Sequence, residues 1–175
     1  KGGGIPQNEN GLRNKQYKKM MTPAKKLLLT KSTFEISLNP CGTIGIKGRA
    51  MNGYLTCFFN QVENWIDSYL CNPADLTTIN FCLEYSTRSN SVIMIYWIKK
   101  IATISHLNKK IVINWYYEEG DEDILEQGEH ISSVVSIPFN FIEISDSLLP
   151  EYDMLKWNYS QNSGVGIRCK HDLAV

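Results

Sequence analysis

The sequence predicts an α/β domain: a small mixed sheet of about five strands packed by helices, opening with a β-hairpin and running in the order ββαβαβαβ. Three stretches carry that prediction. Over 76–85, Ile79, Phe81, Leu83 and Tyr85 occupy alternate positions, the period of a strand with one buried face. Phe58, Val62, Trp65, Ile66, Tyr69 and Leu70 recur at three- and four-residue steps, the stripe of an amphipathic helix, and Asn72-Pro73 ends it. The run IVINWYY at 111–117 carries large side chains on both faces, as expected of a central strand in a sheet layered with helices.

The remaining elements fall between these. Ser37 to Gly42 is a turn signal between extended runs at about 34–38 and 43–49, which together predict the hairpin. After Tyr85 the alternation stops at Ser86-Thr87-Arg88-Ser89-Asn90-Ser91. Ser and Asn just ahead of an apolar run are helix N-cap residues, so a helix is expected to begin near Val92 and run to about Leu107. A short helix is expected over 124–135, and a last strand over 139–144 behind Pro138. Strand and helix alternating with short connections make an α/β sheet.

Charge divides the chain in three. Residues 1–28 hold seven Lys/Arg against one acid, residues 29–144 eight against thirteen, and residues 145–175 three against four. The expected organisation is a flexible basic tail over 1–28, one domain over 29–144 and a C-terminal extension over 145–175. An acidic domain repels backbone phosphates, so nucleic acid is not an expected partner. The longest apolar run, 92–98, is far shorter than the ~18 residues of a membrane span, and no secretory leader is visible; membrane insertion is not expected and the location read is cytoplasmic. Five cysteines without a CxxC pair, and three scattered histidines, predict reduced thiols and no metal or other cofactor.

Two polar clusters could carry function. Ser86 to Ser91 precedes a helix whose N-terminus offers unpaired N–H groups and partial positive charge, so a phosphate there is electrostatically tolerated. A plain helix cap accounts for the same residues. Asp121, Glu122 and Asp123 read either as the solvated start of the next helix or as a recognition patch or weak cation site. No GxSxG elbow, phosphate loop, GxGxxG or HExxH occurs, and no nucleophile pairs with a histidine; an enzyme is not expected, although a hydrolase or transferase with an unrecognised site is the reading from that class.

Several blocks resemble the SiaC family of bacterial regulatory phosphoproteins. They are Thr30-Lys31-Ser32-Thr33 with Glu35-Ile36, Asn39-Pro40 with Gly42, Ile46-Lys47-Gly48-Arg49, Trp65-Ile66-Asp67 with Tyr69-Leu70, and Leu83-Glu84-Tyr85. Asn114 to Glu119, Asp121-Glu122-Asp123 and Ile137-Pro138-Phe139 continue the series in the family's order over about 29–144. The resemblance implies a STAS-like fold and a partner-switching role in cyclic di-GMP and biofilm signalling. In that role a protein Ser/Thr kinase phosphorylates the protein, a PP2C-type phosphatase reverses this, and the unphosphorylated form activates a diguanylate cyclase. It also implies a phosphoacceptor threonine in the turn before the second helix. In strict register Arg88 stands at that threonine. Thr87, then Ser89, are the candidate acceptors, with Ser86, Arg88, Asn90 and Ser91 completing the switch loop; Arg88 could instead hold the phosphate. Val92 and Tyr96 replace residues that are usually polar in relatives and, with Asp121, Glu122 and Asp123, form the candidate surface for a partner or a homo-oligomer. The competing reading is a STAS-like module that is never phosphorylated and acts as a constitutive binder or oligomer.

Overall fold

The computed structural model describes residues 22–27, 34–50 and 56–145. One six-stranded sheet runs in sequence order: β1 (Lys25–Leu27), β2 (Glu35–Asn39), β3 (Thr43–Ala50), β4 (Leu76–Ser86), β5 (Lys110–Glu118) and β6 (Phe139–Ile144). Strand β2 is antiparallel to both β1 and β3, and β3 through β6 are parallel. The mixed sheet and its hairpin match the sequence expectation, with one strand more. That strand, β1, is three residues long and pairs Lys26 with Ser37; such an edge segment is too short to print a period.

The parallel strands are joined by α1 (Thr56–Leu70), α2 (Arg88–Ala102) with a 3-10 turn (Thr103–Leu107), and α3 (Glu122–Val135). Neighbouring parallel strands joined by right-handed crossovers place every connecting helix on the same side of the sheet. The burial pattern agrees. Ile44, Ile46, Ile79, Phe81, Leu83, Ile113 and Trp115 join the helix residues Val62, Trp65, Ile66, Met94, Trp97, Ile98, Ile101, Ile124 and Ile131 in one core. The alternate side chains of the same strands include Asn80, Asn114 and Asn140, which hydrogen-bond across the opposite face at 2.8 and 2.9 Å. Among the described residues the run at 111–117 thus has helices over one face only, whereas its composition suggested a sheet layered with helices.

Several polar atoms inside the core are paired, although the buried Trp97 indole N–H has no hydrogen-bond partner. The Tyr69 hydroxyl lies 2.6 Å from Thr77 Oγ1 and accepts from the Ala74 N–H, which ties the end of α1 to the start of β4. The Trp115 indole N–H donates to the Ile124 carbonyl at 2.9 Å. Gly128 lets α3 lie against that indole, since a Cβ there would sit 2.6 Å from the ring. In the hairpin turn, Gly42 adopts a φ of +101°, donates to the Asn39 carbonyl and accepts from the Thr78 N–H at 2.7 Å, so a single residue fixes the hairpin to β4. Cys71 and Cys82 are thiols, whereas Cys41 is disulfide-bonded, contrary to the expectation of reduced thiols throughout. Asp146 and the residues after it, and with them the C-terminal extension, lie outside the described residues.

Candidate functional site at the start of the second helix

In open parallel sheets the space beyond the carboxyl ends of the strands is where crossover turns converge. Here β4 leads through Thr87 alone into α2. Ser86 ends the strand, Thr87 is the N-cap with extended backbone (φ −87°, ψ 160°), and Arg88 is already helical. The helix therefore starts four residues before Val92, where the sequence placed it. Tertiary contacts explain the difference: Asn90 and Ser91 are 5% and 6% exposed. The Asn90 amide donates to the Ala50 carbonyl at the end of β3 (3.2 Å), and Ser91 Oγ accepts from the Gln127 amide of α3 (2.7 Å). Polar residues that read as a loop are the inward face of the first helical turn, bonded to the elements on either side.

The candidate acceptors differ in surroundings. Thr87 is half-buried; its Oγ1 is occluded from solvent, makes no capping bond and has no hydrogen-bond partner. Ser89 and Arg88 are exposed in the first turn. That turn contains no acidic residue, so its positive end is not neutralised locally.

Between this turn and α3 lies an open cleft of about 820 Å³, lined among others by Tyr85, Arg88, Val92, Asp121, Asp123 and Gln127. Val92 is 64% exposed and Tyr85 48% exposed, so the cleft pairs an apolar wall with a carboxylate wall. Asp121 is also the N-cap of α3, accepting from the Ile124 N–H at 3.1 Å. Glu122 is exposed and does not line the cleft. Tyr85, together with Glu84 and His130 on the same lining, was not among the sequence candidates; the alternation placed Tyr85 in the core. Strand β4 outruns β5: pairing between them ends at Cys82, while pairing with β3 continues to Ser86 after a register shift that skips Glu84. Tyr85 therefore projects past the layer that buries Leu83.

Tyr96 is turned toward α1, away from this cleft. Its hydroxyl donates to the Glu63 carboxylate, its ring packs on Phe59 (centroids 5.7 Å apart), and Lys100 bridges Glu63 and Asp67 at 3.1 and 2.7 Å. The hydrogen bond from Tyr96, then that from Lys100, lowers the Glu63 pKa, and the same bond to Glu63 raises that of Tyr96. Burial works to lower the Lys100 pKa, but hydrogen bonds to Asp67 and Glu63 raise it overall. A depressed carboxyl pKa contributes stability present above the ordinary Glu range and lost as pH falls through the folded value. Tyr96→Phe is expected to move the Glu63 titration upward, toward that range, in an NMR-monitored pH titration of the side-chain carboxyl. An unmoved midpoint would mean that the phenol does not hold Glu63.

Among the described residues no group of three His, Cys, Asp or Glu side chains could hold a metal ion, and no helix is long and apolar enough to cross a membrane.

Residues 28–144, which span β2 to β6 and the three described helices, match the profile of the SiaC family regulatory phosphoproteins. The chain belongs to the SiaC family. Solved structures of similar fold include a chain in the crystal structure of the diguanylate cyclase SiaD in complex with its activator SiaC from Pseudomonas aeruginosa, at 19% identity and a TM-score of 0.61. That match covers 69% of this chain and 99% of the other. The crystal structure of apo-SiaC from the same organism matches at 18% identity and a TM-score of 0.60, covering 69% and 98%. No curated protein sequence matches significantly. As a SiaC family member the chain is of bacterial signal-transduction type.

Proposed function

We propose that this protein is a non-enzymatic phospho-switch whose N-terminal turn of α2 decides whether a partner engages the adjoining cleft. The partner class is a diguanylate cyclase, in line with the SiaD–SiaC complex among proteins of the same fold. A protein Ser/Thr kinase adds the phosphate and a PP2C-type phosphatase removes it. One observation carries the reading: Ser89 is exposed in a first helical turn with no acid of its own, beside Arg88 and three residues before Val92, both of which line the cleft that Tyr85, Asp121 and Asp123 also line. The unphosphorylated cleft offers a partner apolar surface and carboxylates to pair with. A phosphate adds about −1.5 to −2 charges, tolerated by the helix end and by Arg88 but repelled by the carboxylates and costly to bury under a partner. Of the two candidate acceptors, Ser89 is the one a kinase reaches in this conformation, because Thr87 Oγ1 is occluded.

A specific observation also favours a second reading. Arg88 occupies the register position of the family threonine, and with Thr87 Oγ1 occluded a fixed cation replaces the switchable group. On that reading the module binds its partner constitutively.

Phosphosite mapping by mass spectrometry separates the two. After incubation with the cognate kinase and ATP, the switch predicts phosphate on Ser89, lost in Ser89→Ala and retained in Thr87→Ala. Loss in Thr87→Ala alone would move the acceptor to Thr87. No phosphate on any residue from 86 to 91, with a kinase shown to be active, would sink the switch and leave the constitutive binder.

A further inference from the structure

The two edges of the sheet are finished differently. At one, β1 is three residues long and carries Lys25 and Lys26; short length and lysine both keep a strand edge from pairing with another chain. At the other, β6 runs for six residues, FNFIEI, without lysine, proline or bulge, and Phe139 to Ile144 pair one for one with Ile113 to Glu118. Among the described residues β6 has a neighbour on one side only. The Ile144 carbonyl accepts from the Glu119 N–H at 3.1 Å, so the backbone of Ile144 faces β5, and by alternation so do those of Ile142 and Asn140. The N–H and C=O groups of Phe139, Phe141 and Glu143 therefore point outward, and Phe141 and Glu143 are exposed.

Charge selects what this edge accepts. Residues 111–145 contain eight acids and no lysine or arginine. On α3, Asp123, Gln127 and His130 line the cleft toward α2, and helical periodicity turns Leu125 and Glu129 to the other flank, toward β6. Glu122 and Glu129 are exposed outside the cleft lining. Phe139, Phe141 and Glu143 lie on the helix side of the sheet, because they pair with Ile113, Trp115 and Tyr117. The acids of α3 and Glu143 thus share one side of the edge, and Ile142 lies on the other. Two copies of this chain meeting at β6 would oppose like charges, whereas a cationic strand finds partners. We infer that the outer edge of β6 receives, as a seventh strand, an extended segment of a partner protein in which lysine or arginine alternates with apolar residues. The backbone groups of Phe139, Phe141 and Glu143 bond its main chain; its cations face Glu143, Glu122 and Glu129, and its apolar side chains lie beside Ile142. The inference is independent of the phospho-switch, whose cleft lies on the opposite flank of α3.

NMR-detected hydrogen exchange and titration of the full chain test it, with a short peptide of alternating lysine and valine as the probe and one of alternating glutamate and valine as its counterpart. In the free chain the amides of Phe141 and Glu143 are expected to exchange about a hundredfold faster than those of Asn140 and Ile142, which the ladder to β5 holds. The lysine peptide is expected to slow Phe141 and Glu143 about tenfold and to bind about tenfold more tightly than the glutamate peptide. Glu143→Pro removes an outward N–H but no ladder bond and is expected to abolish binding, whereas Glu143→Gln keeps the N–H and is expected to retain it. Glu122→Lys with Glu129→Lys is expected to reverse the preference between the peptides. Failure of the lysine peptide to bind, equal binding of the two, or binding that leaves exchange at Phe141 and Glu143 unchanged overturns the inference. So does slow exchange of those two amides in the free chain, which assigns the edge to a second copy where dilution removes it and to the chain itself where it does not. These readings come from the wild type and decide the matter even where Glu143→Pro does not fold.

Discussion

If a diguanylate cyclase is the partner, as proposed, Ser89→Glu is expected to weaken that complex by ten- to a hundredfold and to leave the melting temperature almost unchanged. The two halves of that expectation rest on different magnitudes. Within the protein, an acid in the first turn of α2 meets a helix end without other acids, an interaction of about 0.3–1 kcal/mol in its favour. At the interface, the same charge is added beside a cleft whose other wall already carries Asp121 and Asp123, and it must be desolvated when a partner covers Tyr85 and Val92. Like charges brought together at an interface cost several kcal/mol, and each ~1.4 kcal/mol is a factor of ten in affinity. The binding term therefore dominates. Calorimetric titration of wild type, Ser89→Ala and Ser89→Glu against the cyclase is the measurement. Wild-type affinity in Ser89→Ala with a loss in Ser89→Glu supports the switch; equal affinity in all three would place the partner elsewhere on the surface.

Gly42→Ala is expected to be the most destabilising single methyl addition in the hairpin, costing on the order of 3 kcal/mol or more. Two effects act together. A φ of +101° is one that side chains with a Cβ rarely adopt, a strain of about 1–3 kcal/mol. The added Cβ would also stand 2.2 Å from the Leu76 carbonyl oxygen, and backbone cannot step aside without breaking the 2.7 Å bond from Thr78 N–H to the Gly42 carbonyl. Overpacking of this kind adds roughly 1–3 kcal/mol. For a chain of this size each kcal/mol lowers the melting temperature by about 2–4 °C. Thermal denaturation followed by circular dichroism reads the effect. Gly48→Ala is the control, because Gly48 also has positive φ but its added Cβ meets nothing within 4 Å. Equal losses in the two variants would mean that the contact with Leu76 contributes nothing.

Most of the fold was legible in the sequence, because its elements are amphipathic and their periods survive in one dimension. Alternation over 76–83 and the three-four stripe of α1 follow from having one buried face each, and the hairpin followed from turn chemistry at 39–42. The site was less legible. Asn90 and Ser91 are buried because Ala50 and Gln127, forty and thirty-six residues away, satisfy their polar groups. No local pattern reports such partners, so the residues read as a loop and the helix start was placed four residues late. Tyr85 fits the strand period yet lines the cleft, since where β4 outruns β5 is set by pairing rather than by composition.

By itself the sequence determined the class of sheet, the order of its elements and the family, all properties of residue order and spacing. Which hydroxyl of the turn meets solvent was decided only by the tertiary structure. So were the pairing of Val92 with Asp121 and Asp123 across one cleft and the diversion of Tyr96 to Glu63. Each depends on how far one element overhangs its neighbour and on which distant backbone carbonyl or side chain answers a polar group. Those quantities exist only once the helices have packed on the sheet.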